Sequence, residues 1–518
     1  MSSVSEQYPK PLNLNVLTDG CQFCRTGVVA RSVLVSSRGC SRSGASAGRF
    51  YRFVVLVRGV VDRFSRGIIG SLILLLAGSP SVLPAQYSET KIGEYLNYAL
   101  AATNGSVYVG YNSIGYASPV IYTPAAGWTG LPDSAGFDTS YLYDGYANGI
   151  SRDGTVVSGF TGGEVSNGVS VQYAVYWVNG AEQIVPAPPD DPNPTLMTAT
   201  AVSGDGSTLF VEDTTGSNSS KVETYIFKIA TRKFTSVGYL GSATQQTYGA
   251  ALNYDGSAAT GYSNLDDGKN HGFLWTNKSG LRDLGIPHPG TYYLEPTCIS
   301  DDGIVIFGRY TELNGWIGFR YTTSGGFTDI GGISVSGCTA DGTEAFGIQN
   351  LYFPAIWTTT MGGGYLDDLL KAHGIKASLG DLLAPVTISP DGSLLTSIGV
   401  FVYLSDQVWY GTYQIGLPSP LTTAPIVLKN TSFSTAYETT LTLSAPGLIG
   451  YAEFTTGATA AVVKKPKNAA SFNLEANGAF SYTPKTGYGG KTDSFTYHLI
   501  GSGGTSITGK VKIAVSAP

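Results

Sequence analysis

The sequence is poor in charged residues, methionine, cysteine and histidine. Of its 518 residues, 13% are charged, three are Met, five are Cys and four are His. A chain with so few charges and so many apolar residues is not typical of a disordered protein, a coiled coil or a helical bundle. The net charge of −6 argues against a nucleic-acid-binding protein, which would carry a basic patch or stripe.

What the sequence has in abundance is glycine and tyrosine. There are 68 Gly and 33 Tyr, and the glycines recur at intervals rather than in runs. Glycine at regular intervals marks turns, and Tyr, Val and Thr favour strands between them. The composition therefore predicts an all-β protein.

The charge is unevenly distributed along the chain. Residues 1–85 have a net charge of +7, residues 86–420 of −17 and residues 421–518 of +4. Such shifts indicate three segments of different character.

The first segment, residues 1–85, contains a predicted leader. Arg63 and Arg66 precede the apolar run Ile68–Ala77, and small residues follow up to Ala85. This order is typical of a cleaved Sec-type secretory signal at residues 60–85, and the run is too short to span a membrane comfortably. Residues 1–59 are interpreted as an extension from a start site assigned too far upstream. Both parts are excluded from the fold.

The second segment contains a repeat of about 50 residues. A turn of the form Ser-x-Asp-Gly, or a close variant, recurs seven times, with its glycines at Gly105, Gly154, Gly206, Gly256, Gly303, Gly342 and Gly392. Asp-Gly favours tight hairpins because Gly tolerates positive φ and Asp bonds to nearby backbone. Each copy contains four predicted strands, and the turn connects the first two. Residues 86–417 are therefore predicted to form a seven-bladed β-propeller.

The seventh copy lacks a fourth strand before Pro418. A spare strand-like piece, Ser88–Ile92, precedes the first copy. An open edge in the last blade would be exposed to aberrant pairing, so the N-terminal piece is expected to supply the missing outer strand. One helix is predicted over Tyr365–Lys371, with Gly374 as its stop.

The repeat resembles a known family. His271-Gly-Phe-Leu-Trp275 and Leu281-Arg-Asp-Leu-Gly285 are similar to the motifs of HAF repeats in exported bacterial proteins. The resemblance implies an exported propeller without implying a reaction.

The third segment is predicted to be a separate domain. Pro418, Pro420 and Pro425 mark a linker at 418–425, and residues 426–518 contain short strands of an antiparallel β-sandwich. The stretches 443–450, 477–484 and 487–497 resemble Ig-like, cadherin-like tandem domains of bacterial surface proteins, of the VCBS type. That resemblance implies a spacer or adhesive module, often with calcium. Tyr451 and Asn477 stand where calcium ligands would be expected, so no cofactor is predicted, with calcium left open.

No catalytic constellation is readable. None of His271, His288, His373 and His498 has metal-ligand spacing relative to another, and no phosphate loop, nucleophile elbow or zinc-helix motif occurs. The aspartates of the repeated turn are interpreted as turn formers.

Long, variable loops are predicted on the propeller face opposite the Asp-Gly turns. Function tends to lie in such loops. The candidate ligand-binding residues there are Tyr141, Tyr143, Tyr146, Tyr292, Tyr293 and Trp316. The candidate metal-binding residues are Asp190, Asp191, Asp266 and Asp267. The alternative is that these loops are solvated and that their tyrosines pack against the fold. The face that carries the short turns is interpreted as structural.

Two cysteines fall within the repeats. Cys298 and Cys338 lie in the entry strands of adjacent copies, five and four residues before their glycines. An exported protein permits a disulfide. The one-residue offset argues against it, because alternate strand residues point to opposite faces. A disulfide and two buried free thiols are both left open.

The sequence leads to a functional hypothesis and two alternatives. We expect a secreted or cell-surface bacterial protein that binds or adheres without catalysis, with the propeller as recognition head and the sandwich as spacer. A neutral glycan or a basic protein surface is the expected partner, because the charge of −17 repels anionic polymers. The alternatives are a propeller glycoside hydrolase or lyase acting on extracellular polysaccharide, and a cell-envelope structural protein without a specific ligand.

Overall fold

A computed structural model describes residues 88–518. It omits short stretches at 95–96, 104, 113–116, 134–141, 165–169, 216–220, 243, 313–314, 351–352, 375–381, 403–407, 419–420, 422–425, 430 and 502–505. The predicted leader therefore lies outside the described residues. Within them the chain is almost entirely β, with one α-helix. No helix in this part of the chain is long and apolar enough to cross a membrane.

Seven four-stranded antiparallel groups, here called sheets 1 to 7, make up the first part. The strands of sheets 1 to 3 are β2–β5 (Asn97–Ala102, Tyr108–Asn112, Ser118–Thr123, Gly127–Gly130), β6–β9 (Leu142–Ile150, Val156–Glu164, Ser170–Val178, Ala181–Ile184) and β10–β13 (Leu196–Val202, Thr208–Thr215, Lys221–Lys228, Lys233–Ser236). Those of sheets 4 to 6 are β14–β17 (Thr247–Leu252, Ala258–Asn264, Asn270–Thr276, Gly280–Asp283), β18–β21 (Leu294–Ile299, Val305–Glu312, Gly315–Thr322, Gly326–Asp329) and β22–β25 (Ile333–Cys338, Glu344–Gln349, Phe353–Thr358, Gly362–Tyr365). One parallel bridge, between Gln172 and Leu196, links sheets 2 and 3.

Sheet 7 is assembled from both ends of this region. Its strands β26–β28 (Leu382–Ile388, Leu394–Val402, Val408–Gly416) come from the last repeat, and β1 (Ser88–Glu94) pairs antiparallel with β28. The sequence-based prediction that the N-terminal piece supplies the missing outer strand is confirmed by this pairing.

The repeated turn is held by side-chain hydrogen bonds. In sheet 3, Ser203 donates from Oγ to Asp205 Oδ1 (2.7 Å), and the backbone N–H of Thr208 donates to Ser203 Oγ (3.0 Å). Gly206 has φ +71°, which only glycine adopts easily. Asn253 in sheet 4 and Thr339 in sheet 6 take the role of the serine. The prediction that the aspartates form turns agrees with this geometry.

The first strands of the sheets lie next to one another in a cycle. Each of β2, β6, β10, β14, β18, β22 and β26 contacts the first strand of the next sheet, and β26 contacts β2. Buried aromatic and branched side chains fill the space between neighbouring sheets, among them Trp177, Phe210, Phe273, Phe307 and Phe346. The arrangement is propeller-like.

The turns themselves are linked from sheet to sheet. In the turns of sheets 3 to 7, the residue before Asp, x in Ser-x-Asp-Gly, has a carbonyl that accepts a hydrogen bond from the preceding turn. The donor is the backbone N–H of the x residue of that turn or of the residue after it. The bonds join Arg152 to Gly204, Asp205 to Tyr254, Tyr254 to Asp301, Asp301 to Ala340 and Ala340 to Pro390. Arg152 also forms an ion pair with Asp301, three sheets away. These bonds tie sheets 2 to 7 together at the turn end.

A helix and a C-terminal domain follow sheets 6 and 7. The helix α1 (Leu366–Ala372) lies where the sequence predicts it, and Gly374 follows it with φ +78°. The C-terminal domain has three sheets around one apolar core that includes Phe480, Phe495 and Val511. Its elements are β29 (Val427–Leu428), β30 (Thr431–Thr435), β31 (Leu441–Leu443), a 3-10 helix (Gly447–Tyr451), β32 (Ala452–Glu453), β33 (Thr459–Lys464), β34 (Ala469–Leu474), β35 (Phe480–Pro484), β36 (Lys491–Ile500) and β37 (Ser506–Val515).

The sandwich differs from the prediction in one pairing. The domain consists of short strands as predicted, but β30 pairs with β37 in parallel. The domain is therefore not purely antiparallel. The short strand β30 was not predicted, because five residues without clear alternation give little signal.

The C-terminal domain docks on sheet 6. The backbone N–H of Phe454 donates to the carbonyl of Gly363 on the outer strand β25, and that of Thr456 donates to the carbonyl of Met361, which directly precedes this strand. Leu421, from the predicted linker, is buried and joins Phe454 in the apolar core of sheets 6 and 7. At this contact the domain covers part of the edge of strand β25, which would otherwise be open.

Candidate functional site

A chain of polar and aromatic side chains lies near the ends of sheets 3 to 5 that are opposite the Asp-Gly turns. It is called the rim cluster here and consists of Glu212, Tyr248, Tyr262, Glu295, Arg309 and Trp316. Five of these residues lie at equivalent positions on the first or second strand of their sheets. Tyr248 pairs with Tyr262 across the first two strands of sheet 4, and Glu295 pairs with Arg309 across those of sheet 5. All six are partly accessible to solvent.

Arg309 organises one half of the rim cluster. Its Nε donates to Glu295 Oε2 (2.9 Å), and its Nη1 donates to Ser334 Oγ of sheet 6 (3.0 Å). The guanidinium also lies over the ring of Trp316, 4.3 Å from its centroid. These contacts fix the Trp316 ring and neutralise the charge of Arg309, leaving an aromatic surface with hydrogen-bonding groups beside it.

Two stacked tyrosines form the other half. The rings of Tyr248 and Tyr262 are 4.8 Å apart and nearly parallel. Burial raises the pKa of both phenols, and the carboxylates of Glu212 and Glu295 act in the same direction at Tyr248 and Tyr262, respectively. The two hydroxyls therefore stay protonated at neutral pH and can donate hydrogen bonds.

Glu212 connects the tyrosines to sheet 3. Its Oε1 accepts a hydrogen bond from the backbone N–H of Gly249 (2.6 Å). Burial raises the pKa of Glu212 to about 7, although the Gly249 hydrogen bond opposes this shift. The rim cluster therefore contains one carboxyl group whose protonated form is favoured more than that of an ordinary glutamate.

The predicted aromatic residues fall into three separate places. Tyr146 packs between Tyr111 (4.3 Å) and Phe160 (4.9 Å) on sheets 1 and 2. Trp316 belongs to the rim cluster. Tyr292 and Tyr293 form an edge-to-face pair (4.6 Å) and are 48% and 38% exposed. Tyr141 lies outside the described residues, and the side chain of Tyr143 does so too.

Asp190 lies in the connection between sheets 2 and 3 and belongs to an acidic group on sheet 3. It accepts a hydrogen bond from the Tyr225 hydroxyl (2.5 Å), and Lys221 lies 2.8 Å from Glu223 and 3.6 Å from Asp190. Burial raises the pKa of Asp190, but the Tyr225 hydrogen bond and the Lys221 charge outweigh it, so the net pKa is lowered.

Asp213 is the buried member of this acidic group. It is 2% exposed, and its Oδ1 has no hydrogen-bond partner in the described structure. Burial, together with the charges of Asp191 and Asp190, raises its pKa to about 7. Neighbouring carboxyl groups with opposite pKa shifts are a pattern seen at acid–base sites.

The other predicted metal-binding residues stabilise loops. Asp266 accepts hydrogen bonds from Ser242 and Thr244, and Asp267 accepts one from the backbone N–H of Lys269. Among the described residues, no three His, Cys, Asp or Glu side chains are placed to hold a metal ion.

The histidines also have local partners. His271 Nδ1 lies 2.9 Å from Asp283 Oδ2, which joins the two motifs of the repeat across strands β16 and β17. His288 contacts Asp329, and His498 contacts Thr508. These contacts are consistent with histidines that serve the repeat and its loops.

Cys298 and Cys338 form a disulfide, with their Cα atoms 6.0 Å apart. The offset argument against it is wrong. The turn bonds show that Thr339 is the counterpart of Ser300, so Cys298 and Cys338 occupy positions that are offset by one residue and point to opposite faces of their own sheets. Where two neighbouring sheets pack, one face of the first sheet meets the opposite face of the second. The two cysteines therefore meet in the core between sheets 5 and 6.

The turn end, which the repeat predicts to be structural, also carries a group of carboxylates. Six exposed aspartates, one from each turn of sheets 2 to 7, surround it: Asp153, Asp205, Asp255, Asp302, Asp341 and Asp391. Hydrogen bonds from serines lower the pKa of Asp153 and Asp255. At Asp205, Asp341 and Asp391 hydrogen bonds of the same kind outweigh partial burial, and the pKa is lowered. The repeat spacing alone could have placed these carboxylates on one face.

Comparison with known protein families identifies only the C-terminal part. The family model described as "Bacterial Ig domain" matches residues 422–514. No curated protein matches the chain.

Solved structures match the chain at low similarity. TolB from Acinetobacter baumannii is 10% identical (TM-score 0.32) over 67% of this chain and 82% of its own. The BP39L lectin from Burkholderia pseudomallei is 8% identical (TM-score 0.37) over 65% and 98%, respectively. Prolyl oligopeptidase B from Galerina marginata is 10% identical (TM-score 0.37) over 68% and 49%. Their activities do not transfer to this chain.

Proposed function

We propose that the chain is an exported, non-catalytic binding protein of the bacterial surface. Sheets 1 to 7 would form a seven-bladed propeller of the HAF-repeat type, and its ligand would be a neutral glycan held at the rim cluster. The leader, the repeat motifs and the bacterial Ig domain support export. The rim cluster supports the ligand class.

The observation that carries the proposal is the contact of Arg309 with Glu295 and Trp316. Sugar rings stack on aromatic faces, and their hydroxyls bond to paired charged side chains. Because the Arg309 charge is already balanced by Glu295 at 2.9 Å, a charged ligand would gain little there. The hydroxyls of Tyr248 and Tyr262 add hydrogen-bonding groups next to this surface.

The Ig domain is proposed as a fixed base for the propeller. Lys429 forms an ion pair with Glu453 (2.6 Å) and lies over the Tyr365 ring, 4.1 Å from its centroid. Together with the backbone bonds to strand β25, these contacts would hold the propeller in one orientation when the domain is attached to the cell surface.

A glycan array with the purified chain, with and without calcium, tests the proposal. Binding to a neutral glycan should fall at least tenfold in Trp316→Ala. Tyr254→Ala removes a tyrosine that is 46% exposed at the turn end and should leave binding unchanged. Equal binding by wild type and Trp316→Ala would contradict the assigned site, and absence of binding to every neutral glycan would contradict the function.

Asp213 supports an alternative function, in which the protein is an enzyme that cleaves a polysaccharide by hydrolysis or elimination. Its raised pKa next to the ionised Asp190 fits a general acid. Release of reducing ends from neutral polysaccharides, lost in Asp213→Asn, would favour an enzyme over the binding protein proposed here.

A further inference from the structure

A cavity at the turn end lies between sheets 6 and 7. Its volume is about 280 Å³, and Thr339, Ala340, Asp341, Glu344, Pro390 and Asp391 line it. It is on the opposite end of the sheets from the rim cluster. Two of the six turn aspartates, one from each sheet, therefore lie at a single cavity.

Glu344 is a buried carboxyl group in the wall of this cavity. The residue is 3% exposed. Its Oε1 accepts a hydrogen bond from the backbone N–H of Leu421 (2.7 Å), whereas its Oε2 is buried without a hydrogen-bond partner in the described structure. Leaving a buried carboxylate oxygen unpaired is costly, so the arrangement calls for a donor.

The fold holds Glu344 in this position. The Leu421 bond fixes one oxygen, and a β-carbon at Gly392 would lie 2.8 Å from the other. Burial raises the pKa of Glu344 to about 7; the Leu421 hydrogen bond opposes the shift, and the charges of Asp341 and Asp391 add to it. A bound cation would relieve both the unpaired oxygen and the repulsion among the three carboxyl groups.

We propose that this cavity binds a primary alkylammonium group, as carried by a lysine side chain or a small polyamine. An ammonium has three N–H donors, which suits a site with three carboxyl groups. The cavity exceeds the size of one ion, and Ala340 and Pro390 give it apolar wall for an alkyl stem. The four other aspartates of the turn end would attract a basic ligand to this face.

Calorimetry with the purified chain at constant ionic strength tests the site. The probes are N-acetyl-lysine methylamide, cadaverine, tetramethylammonium and calcium chloride. The two primary amines should bind, and Glu344→Gln should weaken them at least tenfold while keeping the acceptor for Leu421. Asp302→Asn, which removes a turn aspartate away from the cavity, should change affinity less than twofold.

Comparing the affinities of the lysine derivative and cadaverine distinguishes a protein ligand from a free polyamine. Tighter binding of the lysine derivative points to a protein partner, and tighter binding of cadaverine points to a free polyamine; either supports the site. A second variant, Ala340→Lys, should occupy the cavity with its own ammonium and abolish binding of both amines.

Three results would overturn the proposal. They are equal binding by Glu344→Gln and wild type, equal binding of tetramethylammonium and the primary amines, and binding of calcium alone. Glycan binding should be unaffected in Glu344→Gln, so a failure here is distinguishable from a failure of the rim cluster.

Discussion

Phe454 of the C-terminal domain packs on Gly364 of strand β25 so closely that a β-carbon at 364 would lie 2.5 Å from the ring. Gly364 is therefore one of the points at which the two parts of the chain fit together. The ring of Phe454 is buried in the core of sheets 6 and 7, and the backbone N–H of Phe454 donates to the carbonyl of Gly363. This contact makes the Ig domain part of the same packed structure as sheet 6.

The first prediction is that Gly364→Ala releases the domain. The new methyl group displaces Phe454, so we expect thermal unfolding to split into two transitions and proteolysis to occur between residues 418 and 426. Gly130→Ala is the matched control, because Gly130 also lies on an outer strand and a β-carbon there meets nothing within 4 Å. A single transition in Gly364→Ala would contradict the docked arrangement.

The second prediction concerns strand β1. A chain that begins at residue 95 lacks the partner of β28 and leaves the edge of sheet 7 open. We expect a lower melting temperature and aggregation on heating, compared with a chain that begins at residue 86. Equal melting temperatures for the two chains would show that β1 does not support the fold.

The third prediction concerns the disulfide, which links residues 40 positions apart. Closing a loop of that length lowers the entropy of the unfolded chain and contributes about 2–4 kcal/mol. Denaturant unfolding of Cys298→Ala/Cys338→Ala should show a loss of this size. Reductant should destabilise the wild type and leave the variant unchanged; no response of the wild type would indicate free thiols.

Most of the fold was predictable because its signals are local and repeated. The Ser-x-Asp-Gly turns carry their own hydrogen bonds, so each copy specifies a hairpin wherever it occurs. The rim cluster was not predictable, since Glu212, Tyr248 and Tyr262 are ordinary strand residues until sheets 3 and 4 are placed side by side. Trp316 was found because it borders a loop, whereas the partner that orients it, Arg309, had no readable partner in the sequence.

The difference between local and long-range signals also explains which features were not predicted. The docking of Phe454 depends on a glycine 90 positions earlier, and no local pattern links the two. The one-residue offset of Cys298 and Cys338 argued against the disulfide because each strand was considered within its own sheet, whereas opposite faces of neighbouring sheets pack together and bring the two cysteines into contact. Glu344 has no signal at all in the sequence, because its burial depends on the approach of Leu421.

The fourth prediction addresses the turn. Ser300 Oγ accepts a hydrogen bond from the buried N–H of Val305 (2.9 Å) and donates to Asp302. Ser300→Ala leaves that N–H unpaired, which costs about 1–3 kcal/mol. Ser300→Asn is the matched control, because Asn253 makes the same bonds in sheet 4. Urea unfolding should show the loss in the alanine variant and a smaller one in the asparagine variant; the reverse order would contradict the role of the hydroxyl residue.

The fifth prediction is a pH dependence of stability that depends on Asp213. Its pKa is raised from 3.8 to about 7 in the folded protein. Between these values the folded chain binds more protons than the unfolded chain, so stability falls as pH rises from about 4 to about 7 and then levels off. The full effect of one such group is on the order of 4 kcal/mol. Asp213→Asn, which cannot ionise, should flatten this part of the curve and raise the melting temperature at pH 8 more than at pH 5. Asp267→Asn provides the control, because Asp267 is exposed and its pKa is lowered, so its loss should not stabilise the protein at pH 8. An unchanged pH profile in Asp213→Asn would show that this carboxyl group is ionised and paired in the folded protein.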